Sequence, residues 1–248
     1  MSKSLPGTLF RNTLDRLVDH LGLTEQTGEG GGPWMPLVSQ VPMVQGEVGN
    51  VRLFTGDPLF RVVTCTLQVE PIQLDSHMLF AFTPGTSAIP HFTLDSVQAG
   101  EHFAFHLDLI PRLDLGANLV YMDEVFAPLS EIFEQGNAID GLSMAHLSPR
   151  QNAIMSPWML AKRATEEAFS SIEATVEAYQ RHWFSLLENG ISKEARAGLS
   201  DEALQARNLA NKRIIFDPEV DPVWARITPM IGEEAVAAQR ALLIGEDE

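Results

Sequence analysis

The sequence predicts an α/β fold, a three-layer α/β/α sandwich with a central antiparallel sheet. Short alternating strands joined by tight turns run from Gly46 to about Leu115, amphipathic helical patterns stand before and after them, and no internal repeat or low-complexity linker divides the chain. Strands joined by short links pair antiparallel, because a parallel return needs a long crossover. The flanking helices then cover the sheet, and residues 1–248 form one domain.

The first helix comes from Phe10, Leu14, Leu17, Val18 and Leu21, which recur at helical spacing and stop at Gly22. The polar TGEGGGPWMP follows as loop. It has neither the GxGxxG strand-to-helix pattern nor a lysine after its glycines, so it predicts no nucleotide cradle. The strands are EVGNVRLFTG, FRVVTCTLQVE, HMLFAFTP, HFTLDSV and HFAFHLDLI, punctuated by Gly, Pro and Asp. YMDEVFAPLSEIFEQG reads as one helix or two short ones. Ser156-Pro157 then opens a long helix ending at Asn189-Gly190, with an apolar stripe from Leu160 and Ala164 to Trp183 and Leu187. A last helix covers roughly Glu233 to Ile244.

Composition narrows the function. At 248 residues and 45% apolar, the chain can bury a substantial core. It has no apolar run of the ~20 residues needed to cross a bilayer and no signal-type start, so a cytoplasmic location is expected. The single cysteine, Cys65, sits in an apolar strand and reads as core; one thiol builds neither a disulfide framework nor a thiolate metal site. A net charge of −16 argues against general nucleic-acid binding, which needs Lys and Arg to displace counterions.

The stretch PHFTLDSVQAGEHFAFHLDLIPR holds the candidate chemistry. With Ala99-Gly100 as the central turn residues, Thr93 pairs with His106 and His91 with Asp108. Alternation puts Phe92, Leu94, Phe103, Phe105 and Leu107 on one face and His91, Thr93, Asp95, His106 and Asp108 on the other. The simple reading is a sheet with one buried face and one wet face. Against it, the polar face lacks the Lys, Arg and Glu of a solvated strand, and helices are predicted on both sides. An enclosed Asp and His a few ångströms apart make a proton-transfer pair, since His titrates near neutrality and burial raises a carboxyl pKa. A metal reading of His91, His106 and Asp108 lacks the helix-borne HExxH pattern, and a serine triad lacks GxSxG.

The same residues carry a resemblance. LDSHMLFAFTPGTSAIPHFTLDSVQ (74–98) and FHLDLIPRLDL (105–115) resemble the core of red chlorophyll catabolite reductase, within the ferredoxin-dependent bilin reductase superfamily. IMSPWMLAKRATEEAFSSIEATVEAYQRHW (154–183) is similar to that family's serine-led element before a long helix. The resemblance covers about residues 60–190. It implies an α/β/α sandwich holding a linear tetrapyrrole, reduced without bound flavin or metal by single electrons from external ferredoxin and by protons from side chains and water.

It also implies site residues. Asp95 falls at the family's catalytic acid, usually Glu, and His106 at the proton-handling histidine of the bilin reductases, where the chlorophyll-catabolite branch has an apolar residue. Asp123 lies near a central aspartate of the family, without its glycine-containing surroundings. His91, Thr93 and Asn208 are the implied substrate contacts. The carboxylate expected near the last helices has only Asn208 and Asp217 as nearby candidates. An acidic ferredoxin needs a basic rim, and Arg112, Lys162, Arg163, Lys212 and Arg213 are the candidates for it. Two other readings stay open: a tetrapyrrole- or aromatic-binding protein that does not catalyse, and another small-molecule enzyme on the same scaffold.

Overall fold

The computed structural model describes residues 4–246. It opens with helix α1 (Leu5–Leu21), followed by two short strands, β1 (Thr24–Gln26) and β2 (Met35–Val38). Five longer strands come next: β3 (Glu47–Gly56), β4 (Leu59–Val69), β5 (Leu74–Phe82), β6 (His91–Ala99) and β7 (His102–Ile110). Helices α2 (Leu119–Val125) and α3 (Ser130–Asn137), strand β8 (Leu142–Met144), helix α4 (Pro149–Ile154) and strand β9 (Leu160–Ala164) lead into α5 (Glu166–Ser171) and α6 (Glu173–Asn189). Helices α7 (Asp201–Ile215), α8 (Val223–Ile231) and α9 (Glu233–Ile244) close the fold.

Among the described residues, nine strands form one antiparallel sheet in the order β1-β3-β4-β5-β6-β7-β9-β8, with β2 also on β3. Side-chain alternation divides two cores. Phe92, Leu94, Phe103, Phe105 and Leu107 pack with α1, α2, α5 and α6 on one face. Val63, Leu67, Phe80, Phe82 and Ile110 pack with α7, α8 and α9 on the other. The α/β/α expectation is therefore met, and each fully buried Leu, Val or Phe contributes about 1.5–3 kcal/mol by leaving water.

Local chemistry explains the boundaries. The Ser4 hydroxyl accepts from the Gly7 amide at 2.8 Å to start α1, and Gly22, at φ +63°, ends it with its amide on the Val18 carbonyl. Ser200 caps α7 through the Ala203 amide at 3.2 Å, with Asp201 and Glu202 in the favourable first turn.

Two expectations are corrected. No helix starts at Ser156-Pro157; residues 160–164 instead pair with β7, whose outer edge would otherwise be open. Leu160 and Ala164 share a face at either a helical or a strand period, so their spacing did not separate the two. Thr165 caps the next helix, its hydroxyl accepting from the Ala168 amide at 3.2 Å. The second correction is the β6–β7 register. Ala99 pairs with His102, leaving Gly100-Glu101 as the turn, with Gly100 at φ +60°. Tight hairpin turns need positive φ at the first central residue, which Gly adopts without the steric cost that Ala meets. The pairing shifts by two residues, so both faces survive while every partner changes.

Candidate functional site

The corrected register sets Asp95 directly opposite His106, with Met78 on the other side of Asp95. Side chains directly across a ladder stand about 5 Å apart. His106 Nδ1 lies 3.5 Å from Asp95 Oδ2, an ion-pair separation longer than a well-formed hydrogen bond.

This pair sits on the floor of a cavity of about 530 Å³. Ser76, Met78, Phe80, Asp95, Val97 and His106 form the floor, on β5, β6 and β7. Gln151, Ile154, Met155 and Met159 form a wall on α4 and the loop after it. Ile215 at the end of α7, Phe216 and Asp221 in the connection, and Trp224, Ile227 and Met230 on α8 form the roof. The lining is mostly apolar with a few convergent polar groups, and the volume is in the range of small-molecule sites.

The polar groups are poised rather than paired off. Asp95 Oδ1 and His106 Nε2 are shielded from water and have no hydrogen-bond partner among the described residues. Buried polar atoms left this way cost roughly 1–3 kcal/mol each. Burial opposes charge on His106, but the neighbouring Asp95 carboxylate, with Asp108 and Asp221 beyond it, prevails and raises the imidazole pKa above its usual value. With Nδ1 toward Asp95, His106 turns its Nε2 away from that carboxylate.

Asp221 is the carboxylate that sequence reasoning missed. It lies half-buried on the roof, and its Oδ1 accepts from the Val223 amide at 3.0 Å, fixing the start of α8. Burial, against the pull of the Val223 amide, and the Asp95 charge raise its pKa. Asp221 lines the cavity four residues beyond Asp217, whereas the expected candidates Asn208 and Asp217 do not. An Asp-Pro immediately before the apolar VWARI was the available signal.

Asp108 acts beneath this layer. It is fully buried, and both its oxygens accept from Ser156: the amide at 2.9 Å and the hydroxyl at 2.5 Å. Burial raises its pKa against the His106 charge and these two bonds. The contact ties β7 to the wall segment between Met155 and Met159.

The structure places the other expected residues elsewhere. His91 is buried, its Nδ1 accepting from the Thr83 amide at 3.1 Å, so Nε2 carries the proton and donates to Asn208 Oδ1 at 2.9 Å. Burial, together with the Arg112 charge, holds the His91 pKa well below the usual imidazole value. His91 and Asn208 thus bond each other outside the cavity lining and anchor α7 over the sheet. Thr93 is fully buried beneath the cavity, opposite Asp108 in register, with no partner for its hydroxyl among the described residues. Asp123 is exposed on α2, whose buried Tyr121 and Val125 belong to the core on the opposite face of the sheet.

The five candidate rim cations do not form a rim. Arg112, Lys162 and Lys212 are buried, and Arg112 donates to Thr83 Oγ1 at 2.8 Å and to the Gly85 carbonyl at 2.7 Å. Lys212 lies over the Phe60 and Phe82 rings. Exposed Arg213 pairs with Glu246 at 2.7 Å, and Arg163 is exposed on β9 outside the lining. Arg226 on α8 is the lining cation instead. Cys65 is buried with the Gln239 amide on its sulfur at 2.8 Å, in keeping with a core role. Among the described residues no three His, Cys, Asp or Glu side chains converge as a metal-binding group, and no helix is long and apolar enough to cross a membrane.

No protein-family model and no curated protein matches the chain. Among solved structures, phytochromobilin synthase from tomato in complex with biliverdin superposes with a TM-score of 0.74 at 15% identity, covering 96% of this chain and 82% of that one. The two proteins share a fold.

Proposed function

We propose that this protein binds an open-chain tetrapyrrole in the cavity between the sheet and α7–α8 and reduces it. The observation that carries the reading is the in-register Asp95–His106 pair, with unpartnered polar atoms, on the floor of a largely apolar cavity of about 530 Å³. The shared fold with a protein solved holding biliverdin supports the ligand class.

The chemistry follows from the groups in place. Two single electrons from an external donor, which the family resemblance gives as reduced ferredoxin, enter the conjugated pigment. Each added electron makes the pigment more basic, and a proton must follow. His106, whose pKa the Asp95 carboxylate raises, gives one. Asp221, whose raised pKa favours its protonated form, gives the second from the roof. Solvent returns both protons, and no flavin or metal is required. Asp95 stabilises the imidazolium while solvent recharges it. Asp123, on the far side of the sheet, has no part in this scheme.

A second reading is favoured by the cations. With Arg112, Lys162 and Lys212 buried, Arg226 as the arginine in the lining among the described residues, and a net charge of −16, the cavity offers little positive charge to an acidic electron carrier. A tetrapyrrole-binding protein without turnover meets that observation directly. Anaerobic absorbance titration with biliverdin and with a chlorophyll-derived open-chain tetrapyrrole, followed by reduced ferredoxin, separates the two. A saturable shift, then bleaching only with reductant, supports the reductase and identifies the preferred pigment. A shift without bleaching supports the binder, and no shift with either pigment overturns both readings.

A further inference from the structure

Twenty-three of the 248 residues line the cavity, and four of the chain's nine methionines are among them, so the lining is far richer in thioethers than the chain as a whole. They converge from three sides. Met78 stands on the floor in β5, Met155 and Met159 on the wall, and Met230 on the roof in α8. Each is only half-buried and keeps surface to offer a guest. A methionine side chain is unbranched, turns about three bonds and carries a polarisable sulfur that packs well against aromatic rings, so it moulds itself to irregular partners.

The frame around these side chains is stiffer. Phe80 and Phe216 meet edge-on with centroids 5.0 Å apart, and Phe216 meets Trp224 in the same way at 6.4 Å. The backbone under the wall methionines is held as well: Asp108 accepts from the Ser156 amide and hydroxyl, and the Met159 amide donates to the Ser156 carbonyl at 3.2 Å. Freedom in the wall therefore resides in its side chains. Met78 faces Asp95 across the ladder, which brings the adaptable surface up to the proton-handling pair.

We infer that the four methionines make the cavity an adaptable site for more than one open-chain tetrapyrrole skeleton, their thioethers repacking around each guest while the aromatic rings and the Asp95–His106 pair stay in place. This rests on the tetrapyrrole reading above and adds breadth to it: a biliverdin and a chlorophyll-derived open-chain pigment are both guests. Flexible, methionine-rich surfaces give such breadth where branched or aromatic linings select one shape.

The test labels the methionine ε-methyl groups with ¹³C and follows their ¹H–¹³C correlations while each pigment is titrated separately, with absorbance recorded in parallel. Single exchanges to leucine, which conserve volume, assign the signals. Both pigments should bind, with dissociation constants within about tenfold of each other. Each should shift the methyl signals of Met78, Met155, Met159 and Met230, to positions that differ between the pigments, while those of the exposed Met43 and Met144 stay in place. The double variant Met155→Leu, Met159→Leu, stiffer at equal volume, should bind at least one pigment about tenfold more weakly. Binding of one pigment alone to the native protein, lining signals that stay fixed or move identically for both, or a double variant that holds both as tightly as the native protein overturns this inference and leaves the tetrapyrrole reading standing. If the double variant does not fold, the methyl shifts of the native protein decide. Absence of any saturable absorbance change overturns both.

Discussion

Replacing Asp95 by Asn tests the electrostatic core of the site while keeping its shape. In the native protein His106 Nδ1 stands 3.5 Å from Asp95 Oδ2. At that separation Coulomb's law gives about 1.2 kcal/mol in bulk water and about 4.7 kcal/mol at an effective dielectric of about 20. The Asp95 side chain is 39% exposed, so solvent screening places the pair toward the smaller value. At 1.36 kcal/mol per unit, Asp95→Asn should lower the His106 pKa by about 1–2 units. The assay is an NMR titration of ring-labelled histidine in the free protein, with His106→Gln assigning the signal. The sign also fixes a stability trend. His106 has its pKa raised above 6.5 in the folded state, so its stabilisation is complete below that value and is lost as pH rises through the folded pKa. The stability gap between native protein and variant should therefore be widest below pH 6.5 and narrow above it. A His106 pKa that moves by less than about 0.3 unit, against the ~1–2 expected, would refute the reasoning.

Three further predictions concern the surrounding frame. Asp221→Asn keeps an oxygen for the Val223 amide and removes an acidic proton; pigment should still bind, while the second reduction step slows by about 100-fold in stopped-flow traces. His91→Phe strands the Thr83 amide and removes the bond to Asn208 Oδ1, so chemical denaturation should show a loss of about 2 kcal/mol; a change below about 0.5 kcal/mol would refute the anchoring role. Gly100→Ala places a side chain at φ +60° where its nearest contact, Gln73 Oε1, is an ordinary 3.5 Å, so the cost is conformational and should measure about 1 kcal/mol.

Period-two alternation made the faces of the hairpin legible. Phe92, Leu94, Phe103 and Phe105 point into one core and Asp95 and His106 to the other side, as the letters imply. Register was legible too, had the positive φ required at the first turn position been assigned to Gly100 rather than Ala99. That single residue decides whether His106 faces Thr93 or Asp95. The roof was not read, although Ser200 followed by Asp201 and Glu202 is a helix-start signal. Without α7 and α8 there was no reason to place Asp221 over the floor. The fate of Arg112, Lys162 and Lys212 was invisible in sequence, since long cationic side chains are usually solvated and only tertiary packing buries them. His91 and Asn208 were singled out as functional residues, whereas they are 117 positions apart in the chain and satisfy each other.

The most direct test of the central claim is a single-turnover absorbance measurement on biliverdin-loaded protein, native and Asp95→Asn, after anaerobic addition of reduced ferredoxin. Both proteins should take up pigment with a saturable spectral shift. The native protein should then bleach the pigment while the variant holds it and stalls before the first proton transfer. Equal turnover by the variant, or a native protein that never shifts the pigment spectrum, would contradict the account.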